Sequence, residues 1–224
     1  MKKAIVLLSG GLDSATALYI AKNRGYCCLC LIFDYGQRHI REILSAKRIA
    51  QKAKCAFEIL KIKLPWEGSS LLDNRIKIPQ VTKSQSHKVT KEIPNTYVPG
   101  RNIIFLSFAL SYAEAVGAEA IFIGANAVDF SGYPDCRPLF YQAYRKVINT
   151  GTLLGLSGKD IRILTPLIYK SKAEIIKVGK KLGVPFELTW SCYRGSSKPC
   201  GKCDSCIFRQ RGFRQAKLKD PLLA

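Results

Sequence analysis

An apolar run, Ala4-Ile5-Val6-Leu7-Leu8, passes directly into Ser9-Gly10-Gly11-Leu12-Asp13-Ser14 and then into a helical pattern that starts at Ala15. This order of strand, glycine loop and helix constrains the chain more than any other feature. Two adjacent glycines let the backbone turn sharply and approach a ligand closely, and the helix start that follows presents N–H groups at the positive end of its dipole. The segment reads as a loop for an anion of the phosphate type. Its spacing is neither Gly-x-x-x-x-Gly-Lys-Ser/Thr nor Gly-x-Gly-x-x-Gly, which excludes the Walker loop and the dinucleotide fingerprint. The alternative is an ordinary glycine turn with Asp13 or Ser14 as helix N-cap.

Short β-rich runs recur at Ala4 to Leu8, Tyr26 to Phe33, Phe57 to Ile62, Ala120 to Gly124 and Ile161 to Leu164. Amphipathic segments alternate with them at Asp13 to Arg24, Arg38 to Lys54, Arg101 to Val116, Pro138 to Leu154 and Ser171 to Leu182. The last opens with the capping box Ser171-Lys172-Ala173-Glu174 and stops at Gly183. The alternation predicts an α/β fold, a doubly wound and mostly parallel five-stranded sheet covered on both faces. Ligands of such folds bind beyond the carboxyl ends of the strands, so the glycine loop, residues 34–39 and Gly124-Ala125-Asn126 are expected on one rim. The polar stretch 63–100 is too long for an ordinary connection and is expected to be a substrate lid or a partly disordered excursion.

Cys192, Cys200, Cys203 and Cys206 form Cys-x7-Cys-x2-Cys-x2-Cys. Four thiolates so spaced can close a tetrahedral site on one structural zinc ion. An iron–sulfur cluster is the main rival, although the Cys-Pro that follows such runs is missing. Residues 1–185 are therefore expected to form the α/β domain, and 186–224 a small zinc-binding appendage. Cys27, Cys28 and Cys30 lie in the apolar second strand and are expected in the core. Cys136 is either a nucleophile or a structural, substrate-lining thiol.

With 224 residues and nine unevenly spaced cysteines, the chain is expected to be globular with reduced thiols in the cytoplasm. No apolar run approaches the roughly 20 residues of a membrane span, and Met1-Lys2-Lys3 with its short apolar sequel is not expected to be a secretory signal. The balance of 36 basic to 16 acidic residues favours polyanions, RNA or ATP alike. Local basic excess lies between Arg75 and Lys91 and at Arg209, Arg211, Arg214, Lys217 and Lys219; a solvated face and a nucleic-acid patch both remain open.

Five segments in order resemble the QueC family of 7-cyano-7-deazaguanine synthases, within the N-type ATP pyrophosphatase (PP-loop) superfamily. They are Ser9 to Ser14, Phe33-Asp34-Tyr35-Gly36-Gln37-Arg38-His39, Val98-Pro99-Gly100-Arg101-Asn102, Asp129 to Arg137, and the cysteine tail with Cys200-Gly201-Lys202-Cys203-Asp204-Ser205-Cys206. The resemblance implies an adenine nucleotide alpha hydrolase-like fold and an ATP-dependent ligase that forms a C–N bond. It implies conversion of 7-carboxy-7-deazaguanine and ammonia to the nitrile, through an adenylated acid and then an adenylated amide, toward queuosine. Zn2+ in the four cysteines, Mg2+ with ATP and a homodimer are expected; direct binding of tRNA is not.

The resemblance places ATP on Leu8, Ser9, Gly10, Gly11, Leu12, Asp13, Ser14, Ala15, Thr16, Ala17 and Leu18, with Asp13 a magnesium or N–H partner. Arg38 and Arg101 are candidate catalytic clamps for carboxylate or phosphate, or else loop-fixing cations. Tyr133, Asp135 and Arg137 are candidate substrate contacts, with Asp129 a further acceptor and His39 a proton shuttle or a helix cap. The chain departs from the family at Leu139, where an acidic residue is more usual, and at Phe130, where tyrosine is. A tRNA-thiolating or lysine-transferring relative, and a zinc-containing RNA-binding module with a vestigial loop, are the competing readings.

Overall fold

The computed structural model describes residues 1–38, 40–79, 93–128, 133–194 and 197–223. Strands β1 (Lys3–Leu7), β2 (Cys27–Asp34), β3 (Ala56–Lys61), β4 (Ala120–Phe122) and β5 (Arg162–Leu164) form one sheet in the order β3-β2-β1-β4-β5. Every pairing is parallel, with Lys3 opposite Cys27 and Ala4 opposite Ala120. The sheet thus has the expected five strands.

Both faces are covered, which is why β1 reads as an unbroken apolar run. Ala4 and Val6 point into one core with Ala15 and Leu18 of α1 (Leu12–Asn23), Ile49 of α2 (Ile40–Lys52) and Ile175 of α6 (Lys172–Lys181). Ile5 and Leu7 point the other way, into a core built by Leu106 and Ala113 of α3 (Arg101–Val116) and by Tyr144 and Ile148 of α4 (Pro138–Gly151). Cys28 and Cys30 are packed in the first of these cores, as expected.

Three features differ from the sequence pattern. The segment 138–154 is not one helix: Thr152 turns extended at φ −125° and its Oγ accepts the Gly155 N–H, which starts the short helix α5 (Leu153–Leu156). Helix α7 (Asp204–Gln215) was hidden among the cysteines, and its Phe213 and its C-cap Ala216 enter the same core as β1. The arms of the long 63–100 stretch are built into the fold, since Leu71 and Val98 are buried and the Ser70 N–H donates to the Asn95 carbonyl at 2.8 Å. Residues 80–92 lie outside the described set.

Strand order reverses between β1 and β4. That switch point opens the sheet's crevice beside the glycine loop.

Candidate active site

At the carboxyl ends of β1, β2 and β4 lies a cavity of about 320 Å³, lined among others by Ser9, Gly11, Ser14, Arg101, Tyr133 and Lys172. Gly10 sits at φ +83°, and a Cβ there would stand 2.2 Å from the Glu42 carbonyl oxygen; only glycine allows α2 to approach the loop so closely. Gly124, just beyond β4, is also tightly placed, a Cβ there lying 2.7 Å from the Ser14 nitrogen. Ser14 Oγ donates to the Gly11 carbonyl at 3.1 Å and accepts the Ser9 N–H at 3.2 Å, which closes the loop on itself.

Neither Asp13 nor Ser14 caps α1. The N-cap is Gly11, with no side chain bonded across the helix start, so the first turn keeps its N–H groups for an anion. Asp13 instead pairs with Lys172, both carboxylate oxygens lying 2.6 and 2.8 Å from its Nζ. Lys172 was not anticipated in the site. The signal was its place in the capping box at the rim after β5, where Ser171 and Glu174 bond reciprocally and hold the first turn of α6.

The other candidate residues divide. Arg101 lines the cavity and donates to Tyr35 Oη at 3.3 Å. Tyr133 lines it too, its hydroxyl 2.6 Å from Thr96 Oγ1, and burial raises its pKa. Arg38 lines a neighbouring cleft with Lys77 and Arg194, and its guanidinium donates to the Asp73 carbonyl at 2.7 Å. Asp135 is buried behind the wall, where its carboxylate accepts the Asn102 N–H at 3.1 Å and thereby fixes the first turn of α3. Arg137 is exposed as the N-cap of α4, and Leu139 is 74% exposed beside it. Asp129, Phe130 and His39 lie outside the described residues. Cys136 lines the cavity, but burial and the neighbouring Asp135 push its thiol up to about 12, so it stays protonated at neutral pH.

The cavity's remaining wall comes from the cysteine segment. Cys192, Cys200, Cys203 and Cys206 bring their sulfurs within 4.8 Å of one another, and Cys200 Sγ lies 4.0 Å from Cys206 Sγ. A tetrahedral metal with bonds of about 2.3 Å needs sulfurs about 3.8 Å apart, so the four residues fit one. Backbone N–H groups of Arg194 and Cys200 point at Cys192 Sγ, and those of Lys202 and Cys203 at Cys200 Sγ, at 3.3 to 3.4 Å. Such donors stabilise thiolates. Hydrogen bonds from the Cys203 and Cys206 thiols, with these backbone donors behind them, hold Cys192 far below the usual thiol range. The segment is tied to the glycine loop, because the Trp190 N–H donates to the Gly10 carbonyl at 2.9 Å, and Trp190 and Tyr193 face the cavity.

Comparison with known proteins agrees with this geometry. The fold resembles that of the NMN synthetase from Francisella tularensis (TM-score 0.52, 17% identity, covering 97% of this chain and 78% of that one). It also resembles a 4-thiouridine synthetase solved with RNA and bound ATP (TM-score 0.52, 19% identity, 96% of this chain and 50% of that one). The class is therefore a doubly wound, parallel α/β fold of the kind these two proteins share, with a four-cysteine group near the C-terminus. The family description "Queuosine biosynthesis protein QueC" matches residues 3–217, and the chain belongs to that family. It is 52% identical to 7-cyano-7-deazaguanine synthase 2 of Desulfitobacterium hafniense strain Y51, over 99% of this chain and 93% of that protein. It is 51% identical to the 7-cyano-7-deazaguanine synthase of Nostoc punctiforme over 99% of both. The chain is thus an enzyme of queuosine precursor biosynthesis.

Proposed function

We propose that this enzyme uses ATP to join ammonia to 7-carboxy-7-deazaguanine and then dehydrates the amide to 7-cyano-7-deazaguanine. The observation that carries this reading is the single cavity that unites the glycine loop with Arg101, Lys172 and Tyr133. A substrate carboxylate attacking the α-phosphate releases pyrophosphate, whose growing charge needs backbone donors and cations rather than a covalent nucleophile. Ser9, Gly10, Gly11 and Ser14 offer the donors, and the Lys172 ammonium, held by Asp13, supplies fixed positive charge beside them. Arg101 holds the substrate acid, since a guanidinium fork grips a carboxylate at two points. Tyr133 gives the heterocycle a ring to stack on, and the neutral Cys136 thiol serves as wall. Ammonia displaces AMP from the acyl-adenylate; adenylation of the amide oxygen by a second ATP then lets that oxygen leave with AMP as the nitrogen loses its last proton, which gives the nitrile.

Magnesium accompanying ATP supplies further charge neutralisation on the leaving pyrophosphate. Zinc is the metal we assign to the four cysteines, where a closed thiolate set leaves no open position for catalysis. Nine free cysteines fit a reducing cytoplasm. The substrate is a free base, so tRNA need not bind, and we take the working form to be a homodimer.

The test is direct. Purified protein incubated with ATP, magnesium, ammonium and 7-carboxy-7-deazaguanine should yield a product with the mass of the nitrile, with AMP and pyrophosphate. Adenylation of a tRNA transcript without nitrile formation would overturn the reading in favour of a tRNA-modifying relative.

A further inference from the structure

One acidic side chain in the cavity wall takes no part in the scheme above. Glu42 stands in the first turn of α2 and lines the same cavity as Ser9, Gly11, Ser14 and Arg101. Its carbonyl oxygen is the group packed against Gly10, so the glutamate is fixed in register with the pyrophosphate loop. Among the described residues its carboxylate makes neither a hydrogen bond nor an ion pair. The residue is half-buried and forms part of the cavity lining. Burial pushes the carboxyl up to about 7, while the Arg101 guanidinium of α3 pulls it down and the negative charge of the Cys192 thiolate pushes it further up. The Tyr35 and Tyr193 phenols also feel its charge.

A desolvated carboxylate with a free face attracts a small cation. Magnesium suits it poorly, because that ion wants six oxygens in octahedral array, whereas Glu42 shares its surroundings with a guanidinium and two phenol rings. An ammonium ion fits: it can donate to the carboxylate and rest on an aromatic face. We propose that Glu42 is the ammonium site of this enzyme and the base that frees ammonia beside the adenylated acid. The proposal rests on the reaction assigned above. The Glu42 carboxylate takes one proton from ammonium, and the nitrogen lone pair so released forms the C–N bond. The bond from the acyl carbon to the AMP oxygen breaks and its electron pair leaves with AMP, whose phosphate accepts the second proton shed by nitrogen.

The experiment compares wild type with Glu42→Gln and Glu42→Asp in three readouts. Exchange of labelled pyrophosphate into ATP, driven by the substrate acid without ammonium, should survive in E42Q, because Glu42 has no role in that half-reaction. Turnover with ammonium should fall at least 100-fold in kcat/KM, with partial recovery in E42D. Hydroxylamine, uncharged at neutral pH, needs no such base and should give the hydroxamate in E42Q at close to the wild-type rate. Unchanged ammonium kinetics in E42Q would overturn the proposal, and so would loss of pyrophosphate exchange alongside loss of ammonium turnover; the second result would assign Glu42 to ATP or its magnesium. A readout free of turnover separates this site from the reaction itself: ammonium chloride, matched against sodium chloride, should raise the melting temperature of wild type and not of E42Q. No ammonium-specific rise in wild type removes the Glu42 site, whereas failure of wild type to exchange pyrophosphate removes the assigned reaction.

Discussion

Gly10 shows how much one position can carry. A methyl group there meets the backbone of α2 at 2.2 Å in a left-handed conformation, and no flexible side chain can move aside. Gly10→Ala should therefore cost about 1–3 kcal/mol or more in equilibrium denaturation, from strain of that conformation alone, and should abolish protection by ATP against thermal unfolding. Lys172 poses the opposite case. Its pair with Asp13 is partly exposed, so Lys172→Met should lower stability by no more than about 1 kcal/mol. Loss of fixed charge beside the leaving pyrophosphate should still slow pyrophosphate exchange by about 100-fold. Cys136 gives a third test: a thiol raised to about 12 holds almost no thiolate near pH 7, so Cys136→Ala should retain nitrile synthesis within about tenfold. Complete loss of synthesis with an intact fold would make it a nucleophile.

Helix α7 is the element that the sequence pattern concealed. Arg209 was one cation in a basic tail, and composition suggested solvent or nucleic acid around it. In the fold it is only 4% exposed, donates to both Asp220 oxygens at 2.7 and 2.8 Å, and reaches the Thr189 hydroxyl and the Phe186 carbonyl. Removing one member leaves the other charge buried and alone. Arg209→Met or Asp220→Asn should each cost about 3–5 kcal/mol in urea denaturation, and the double variant should cost less than the sum. Lys172 and Ile176 of α6 are the side chains that a Cβ on Gly212 would strike, at 2.4 and 2.9 Å, so α7 lies close against the helix that presents the loop's lysine.

Across the whole molecule, the four cysteines and the glycine loop form one structure. Trp190 binds the Gly10 carbonyl two residues before the first ligand candidate, Cys192, and Tyr193 faces the cavity one residue after it. Elemental analysis should give about one zinc per chain and no iron, as a closed four-thiolate site implies. Stripping that metal with a strong chelator should lower the melting temperature, because binding on the order of 10 kcal/mol is folding energy for this segment. It should also weaken ATP protection, although no cysteine of the set lines the cavity. Retention of full ATP affinity after the metal has been removed would separate the two.

What the sequence determined by itself is local in origin. The parallel sheet, the glycine loop, the cysteine spacing and the capping box of α6 are each written within a few neighbouring residues, as alternation, a φ demand, a ligand interval or a reciprocal hydrogen bond. Only the tertiary structure decided which side chains meet. Lys172 reaches Asp13 across 159 positions, Glu42 of α2 shares the cavity wall with the glycine loop, and the buried Asp135 carboxylate accepts the Asn102 N–H. The physical reason is that a side chain's role depends on burial and on partners distant in the chain. An arginine such as Arg209 reads the same on paper whether solvent or a buried carboxylate surrounds it, and folding alone makes the choice.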